Sequence, residues 1–325
     1  MINNRGVQEN GSPKNSRIPL LVIAGPTAVG KTALSLKLAK ELNGEIVSAD
    51  SVQVYRYLDT GSDKPSLEQR KEVPHHMVDV VDPDVNFTVY DFQQMAKRCI
   101  EDIYSRGKLP LLTGGTGLYI NALVDEYKLN SSRPDPSLRK QLKEELNTKG
   151  KEYLYNKLQK IDPQSADKIH PNDTRRIIRA LEYYYLTGKP ISSQKNLTQE
   201  KRSPYFLNYI GLNMERKKLH ERINNRVDTM IQKGLLEEVK GILKKGYTPD
   251  LKSLQSLGYK HMIAYLYGNC DWEEAVNLFK RDTRRYAKRQ LTWFSADKRI
   301  KWFELTDAQE IDNVLENIYI NLAGK

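Results

Sequence analysis

The run Gly25-Pro26-Thr27-Ala28-Val29-Gly30-Lys31-Thr32 fits the pattern G-x-x-x-x-G-K-[ST]. Glycines at those positions let backbone N–H groups curl around phosphate oxygens, and a helix starting there points its positive end at them. Lys31 adds a mobile cation, and the Thr32 hydroxyl is a ligand of the kind Mg²⁺ takes. The motif implies a di- or triphosphate without naming which one.

Further polar residues fall at apolar strand ends. Ser48-Ala49-Asp50-Ser51-Val52-Gln53 follows a short strand, and Gly114-Gly115-Thr116-Gly117 follows another. In an open parallel sheet ligands bind beyond the carboxyl ends of strands, which puts Asp50 and Thr116 on the rim of the phosphate loop. Asp50 is then a proton acceptor or a metal's partner, or else a turn cap. Gln53 carries an amide suited to a base edge. The second glycine run reads as a stretch bare of side chains that a ligand approaches closely. Adjacent side chains point apart in a helix or a strand, so His75-His76 reads as structural rather than as a chelate.

These residues need a scaffold, and the hydrophobic pattern supplies one. Residues 18–24 (IPLLVIA) form a near-continuous apolar run, the mark of a strand buried on both faces. Leu34, Leu38 and Leu42 recur at helical spacing over 32–42, and 45–49 returns as a strand. Together they predict a β-α-β unit with parallel strands. A helix is expected over 88–106 with Thr88 and Asp91 as its capping pair, then strands over 109–113 and 205–212. From 134 to 200 the chain is polar and helical, broken by turns at Asp162-Pro163, His170-Pro171 and Gly188-Lys189-Pro190. After Met214 helix is expected through Phe294. The expected fold is α/β: a P-loop NTPase-like parallel sheet flanked by helices, with a mostly helical insertion. The expected division is a disordered tail at 1–17, a core of 18–130 and 203–325, and an insertion of 131–202.

Composition narrows the partner. Lys and Arg number 52 against 41 Asp and Glu, for a net charge of +11 over 325 residues. Such a balance suits a polyanion, whose counterions are released on binding, although a soluble protein with a basic surface has it too. Over 279–294 (FKRDTRRYAKRQLTWF), Lys280, Arg284 and Lys288 form one row and Arg281, Arg285 and Arg289 the next, a continuous cationic face on a helix. Arg175, Arg176 and Arg179 make a second cluster, and Arg216, Arg222 and Arg226 a third. Two cysteines, Cys99 and Cys270, cannot build a disulfide framework, and no apolar run approaches the roughly 20 residues of a membrane span. A soluble, cytoplasmic protein is expected.

In order along the chain, GPTAVGKT at 25–32, SADSVQVYR at 48–56, HHMVDVVDP at 75–83, GGTGLY at 114–119, HPNDTRRIIRALE at 170–182, SLGYK at 256–260 and RRYAKRQLTWF at 284–294 resemble the transfer-RNA dimethylallyltransferase family. The phosphate loop alone is generic; the ordered set is specific and spans nearly the whole chain. Ser295 stands where the family commonly has a basic residue, which puts one peripheral contact in doubt. The zinc-finger extension of eukaryotic relatives is absent, as in the bacterial form.

The resemblance implies that 25–32 hold the diphosphate of dimethylallyl diphosphate with Mg²⁺ at Thr32. Asp50 would be the general base near N6 of the adenine beside the anticodon, with Lys31 and Thr116 also catalytic. The tRNA anticodon stem-loop would meet Ser51, Val52, Gln53, Arg139, Arg175, Arg176, Ile177, Ile178, Arg179, Gln255, Ser256, Leu257, Gly258, Tyr259, Lys260, Arg284, Arg285, Lys288 and Arg289, and the protein would act as a monomer. Rival readings are a small-molecule kinase on the same loop, an enzyme that prenylates free AMP, and a non-catalytic RNA-binding module.

Overall fold

The computed structural model of the chain describes residues 17–127, 129, 135–195, 203–305 and 315–316; the tail expected at 1–17 lies outside them except for Arg17. Two compact units are present, one of residues 1–124 and 203–325 and one of 125–202. In the first, β1 (Pro19–Ala24), β2 (Gly44–Ser48), β3 (His75–His76), β4 (Leu109–Gly114), β5 (Phe206–Asn213) and β6 (Lys301–Glu304) make a parallel sheet ordered β3-β2-β4-β1-β5-β6. The two-residue period sends successive side chains of each strand to opposite faces. Leu20, Val22 and Ala24 of β1 join one apolar cluster with Val47 and Leu112, whereas Leu21 and Ile23 join the other with Ile46 and Leu111. Both faces of the sheet are therefore core, and each large aliphatic side chain so buried contributes about 1.5–3 kcal/mol.

Helices α1 (Lys31–Glu41), α3 (Val89–Ser105) and α4 (Gly117–Val124) pack on this part of the sheet, and the short α2 (Leu67–Glu72) buries no residue. At the start of α3, Thr88 accepts from the Asp91 N–H while Asp91 accepts from the Thr88 N–H, the reciprocal cap expected from the sequence.

The second unit holds α5 (Pro136–Ile161), α6 (Pro163–Ala166), α7 (Thr174–Thr187) and α8 (Ser192–Lys195). Asp135, Asp162 and Asp173 cap α5, α6 and α7. The apolar stripes meet through Leu142, Leu154, Leu158, Ile177 and Leu181. Among them lies the wholly buried Glu182, which accepts from Arg139 at 2.6 Å and Arg179 at 3.1 Å.

After β5 the chain forms α9 (Arg216–Gln232), α10 (Leu235–Lys244), α11 (Tyr259–Leu266) and α12 (Trp272–Ser295). The helical stretch expected after Met214 is broken at 233–234, 245–258 and 267–271, where Gly234, Gly246, Gly258 and Gly268 take positive φ. Two strands escaped the sequence reading, β3 and β6. Both are short edge strands; β6 (Lys-Trp-Phe-Glu) is largely exposed, so neither shows the apolar run that betrays a central strand.

β3 is fastened through its neighbour. Glu45 of β2 is buried, and its carboxylate accepts from both terminal nitrogens of Arg106 (2.6 and 2.7 Å), from Lys108 (2.7 Å) and bonds His76 (2.7 Å). Arg106 chiefly, with Lys108 and His76, holds Glu45 well below the usual carboxylate range despite its burial. A depressed carboxylate contributes stability that is present above its unfolded pKa and lost as pH falls. Glu45→Gln is therefore expected to lower unfolding free energy at pH 7 by about 1–3 kcal/mol, toward the low end for a buried pair because Arg106 and Lys108 can rehydrate. Urea titrations at pH 7 and pH 4 should also show a smaller loss on acidification in Glu45→Gln than in the parent; equal stability at pH 7 and equal acid loss would refute the assignment.

Candidate active site

Three neighbouring strands, β2, β4 and β1, end side by side, with Ser48 level with Thr113 and Ala24 level with Gly114. Their ends bring the first glycine loop, Asp50 and the second glycine loop to one rim, as the sequence predicted. Thr27, Lys31, Thr32, Asp50, Gln53, Gly115, Arg226, Tyr286 and Gln290 line a common cavity there. Gly25 and Gly30 hold the first loop at φ 147° and 113°, where a side chain is strained. Gly30 starts α1 without any side-chain cap, and no acidic residue stands in its first turn. The N-terminal amides of α1 are thus offered to an anion.

Lys31 folds back on its own loop, donating to the carbonyls of Gly25 (3.0 Å) and Pro26 (2.7 Å). Desolvation first, and then repulsion from Arg226, lowers its pKa to about 7, while Asp50 pulls the other way. The cavity beside it measures about 80 Å³, roughly the room of two or three waters.

Of the readings the sequence left open for Asp50, the turn cap is present. Its Oδ1 accepts from the N–H groups of Val52 (2.8 Å) and Gln53 (3.3 Å), a turn cap. Its Oδ2 carries no hydrogen bond among the described residues. Thr116 Oγ1 accepts from the Ser51 N–H at 3.1 Å and so fixes the turn after Asp50. Gln53 uses its amide within the chain, accepting from Ser48 Oγ (2.8 Å) and donating to the carbonyls of Ser62 and Asp63 (3.3 and 3.2 Å). Burial, with Asp50 next, pushes the Tyr286 phenol up to about 12, so it stays protonated beside that carboxylate.

The second glycine run differs from expectation. A Cβ on Gly114 would collide with the Ala49 carbonyl, one on Gly115 with the Gln290 amide, and one on Gly117 with the Trp293 ring. The space these glycines clear is filled by the protein itself, by the end of β2 and by α12, and not left open for a ligand. Gln290 reaches across it: Oε1 accepts from the Thr27 N–H at 2.8 Å and Nε2 donates to the Gly115 carbonyl at 2.9 Å.

Sequence reasoning names Arg222 and Arg226 only as members of a basic cluster, and Glu238 not at all. Arg226 donates to Thr27 Oγ1 (2.8 Å) and pairs with Asp63 (3.2 Å), and Arg222 reaches the Val29 carbonyl (3.4 Å). Glu238 of α10 accepts from the N–H groups of Thr60 and Gly61 and from the Tyr259 hydroxyl (2.7 Å), pinning the loop that carries Asp63. One signal was available. The buried stripe of α12 includes Phe279, Thr283, Ala287, Gln290 and Phe294, and a glutamine in an apolar stripe needs buried partners.

The residues expected to meet RNA divide by exposure. Arg175, Arg176, Arg285, Lys288, Arg289 and Gln255 are exposed. Ile177 and Ile178 pack the interior of the second unit, and Tyr259 and Gly258 are buried in the first. Arg139 and Arg179 hold Glu182, Lys260 pairs with Asp282, and Arg284 donates to Asn224. The repulsion expected along α12 is partly relieved from within, since Lys280 pairs with Asp228 and Arg281 with Asp282.

The model of a family described as IPP transferase matches residues 53–297. A tRNA dimethylallyltransferase of Alkaliphilus metalliredigens is 50% identical over 94% of this chain and 97% of its own. The tRNA isopentenylpyrophosphate transferase of Bacillus halodurans, solved as a crystal structure, superposes with a TM-score of 0.70 at 47% identity over 94% of this chain and 96% of that one. A eukaryotic dimethylallyltransferase, captured acting on tRNA, gives 0.79 at 31% identity over 94% of this chain and 79% of its own.

A neutralised Lys31 has a measurable consequence. Phosphate oxygens raise its pKa, so anion binding above pH 7 takes up a proton and affinity falls with rising pH, by at most about tenfold per unit. Pyrophosphate calorimetry at pH 8 in two buffers of different ionisation enthalpy is expected to show more proton uptake in the parent than in Lys31→Arg, which is cationic throughout. Equal uptake would mean that Lys31 is already charged in the free protein.

Proposed function

The chain belongs to the IPP transferase family, and we propose that it moves the dimethylallyl group of dimethylallyl diphosphate to N6 of adenosine 37, beside the anticodon of tRNA. The products are N6-dimethylallyladenosine and pyrophosphate. One observation carries the assignment of roles: Lys31 and Asp50, a cation for the leaving group and a carboxylate for the nucleophile, line the same cavity at adjoining strand ends.

The amides at the start of α1, Lys31 and Arg226 hold the diphosphate. As the C1–O bond breaks, its electron pair passes to the departing pyrophosphate, whose growing charge these donors stabilise in place. N6 attacks C1, and Asp50 Oδ2 accepts the proton that N6 loses. The turn cap at Oδ1 keeps the carboxylate oriented while this happens. The adenine leaves its stack to reach the cavity, as base-modifying enzymes require.

Thr32 and Asp50, with Ser48 and Thr113, present oxygen donors to this cavity, a set that suits Mg²⁺ held by one or two protein oxygens and by substrate phosphates. Such an ion at Thr32 would add positive charge beside the leaving group. Among the described residues no cluster of three or more His, Cys, Asp or Glu offers an all-protein metal site, which is consistent with a metal that arrives with its phosphate.

The exposed cations of α12 (Arg285, Lys288, Arg289) and of α7 (Arg175, Arg176) supply the phosphate contacts of the RNA. No described helix is long and apolar enough to cross a membrane, and the reading is of a cytoplasmic enzyme acting as a monomer.

Asp50→Asn preserves the Oδ1 cap and removes the base. Single-turnover transfer of labelled dimethylallyl to unmodified tRNA carrying A36-A37-A38 is expected to slow by about 10²–10⁴-fold, with RNA affinity in filter binding within a few-fold of the parent. Normal transfer with weakened RNA binding would remove Asp50 from the chemistry. A parent protein that labels no RNA would end the assignment altogether.

A further inference from the structure

We propose that Gln290 is a positioning residue that keys the phosphate loop to the cation-bearing helix α12, so that RNA docking and diphosphate binding strengthen each other. The inference rests on the RNA-prenylating reading above and adds to it a route by which one substrate senses the other.

Three observations converge. Gln290 is 5% exposed, and both ends of its amide are committed to backbone of different loops, Thr27 of the first and Gly115 of the second. A Cβ at Gly115 would collide with the Gln290 amide nitrogen, so any side chain there must displace that amide. The same helix presents Arg285, Lys288 and Arg289 to solvent, within five residues of Gln290.

A helix moves as a rigid element, so a force on its outer face reaches the inner one. Phosphate contacts at Lys288 and Arg289 therefore set where the Gln290 amide lies, and with it the Thr27 N–H and the curl of the loop that must receive the diphosphate. In the reverse direction, an anion that orders the loop holds Thr27, and through Gln290 it holds α12 in its RNA-binding position. Linkage requires the two effects to be equal. Tyr286, one turn earlier on the same helix, lines the same cavity as Gln290, so the nucleobase side of the site shares the connection.

The test uses the full chain, inorganic pyrophosphate and a fluorescent anticodon stem-loop RNA. Anisotropy gives RNA affinity with and without saturating pyrophosphate, and calorimetry gives the reciprocal. In the parent each ligand is expected to tighten the other by about fivefold or more, the low end of usual coupling. In Gln290→Met the factor should fall below twofold while affinity for RNA alone stays within twofold.

Gln290→Glu keeps an acceptor for the Thr27 N–H but, ionised, sets a carboxylate against the Gly115 carbonyl. Its coupling is expected to fall below twofold at pH 8, with a thermal unfolding midpoint close to the parent's showing that the fold is intact. A coupling factor of one in the parent, or an unchanged factor in Gln290→Met, would overturn the linkage. Coupling in a parent that transfers no dimethylallyl group would support the linkage and overturn the reaction assigned above.

Discussion

An ammonium group taken out of water loses hydration that only close acceptors or a counter-charge restore, and Lys31 is in that position. Two carbonyls of its own loop solvate it, Arg226 repels it, and its pKa drops to about 7. The free site thus holds a part-neutral Lys31 crowded by Arg226, with few protein anions to restore its full charge, and Asp63, which pairs with Arg226, is half exposed at the edge. A diphosphate relieves that imbalance, and the pyrophosphate that leaves relieves it further as charge builds on it.

A deficit of this kind acts only if the donors stay in place, and the fold holds them with buried polar bridges rather than with the sheet alone. Glu238 and Tyr259 pin the backbone at Thr60 and Gly61. Lys64, almost fully buried, ties Asp59, Asp79 and the Tyr55 carbonyl together. These bonds fix the loop that carries Asp63 and accepts from Gln53. Each bridge is fully partnered at its polar ends, which is the condition under which buried polar groups rigidify a site instead of weakening it.

What could be read in the sequence follows from the range of the interactions. The phosphate loop, its strand and its helix are contiguous and governed by local rules, and the ends of β2 and β4 follow from the architecture of parallel sheets. Asp50 therefore landed on the correct rim. Arg226, Gln290 and Glu238 reach the site over separations of 178 to 263 residues, and nothing local marks them except a polar group in a buried stripe. The second glycine run was misjudged for the same reason. A glycine that admits a ligand and one that admits a neighbouring helix look alike in sequence, and only the distant partner, Gln290 or Trp293, tells them apart.

The basic composition follows a similar logic. A net charge of +11 suggests a surface built for a polyanion, but many of the cations counted in it serve the protein's own acids. Arg106 and Lys108 hold Glu45, Arg139 and Arg179 hold Glu182, and Lys280 holds Asp228. Glu45 and Glu182 are buried, so their cations are needed whether or not RNA is present. The cations left free for a polyanion are the exposed ones, Lys288 and Arg289 on α12 among them, and Arg289 stands over the ring of Tyr286. Tyr286 in turn faces Asp50 across the cavity electrostatically. A short path thus runs from a surface cation of α12 through an aromatic ring toward the Asp50 carboxylate, and α12 carries charge on its outer face with a tyrosine and a glutamine on its inner one.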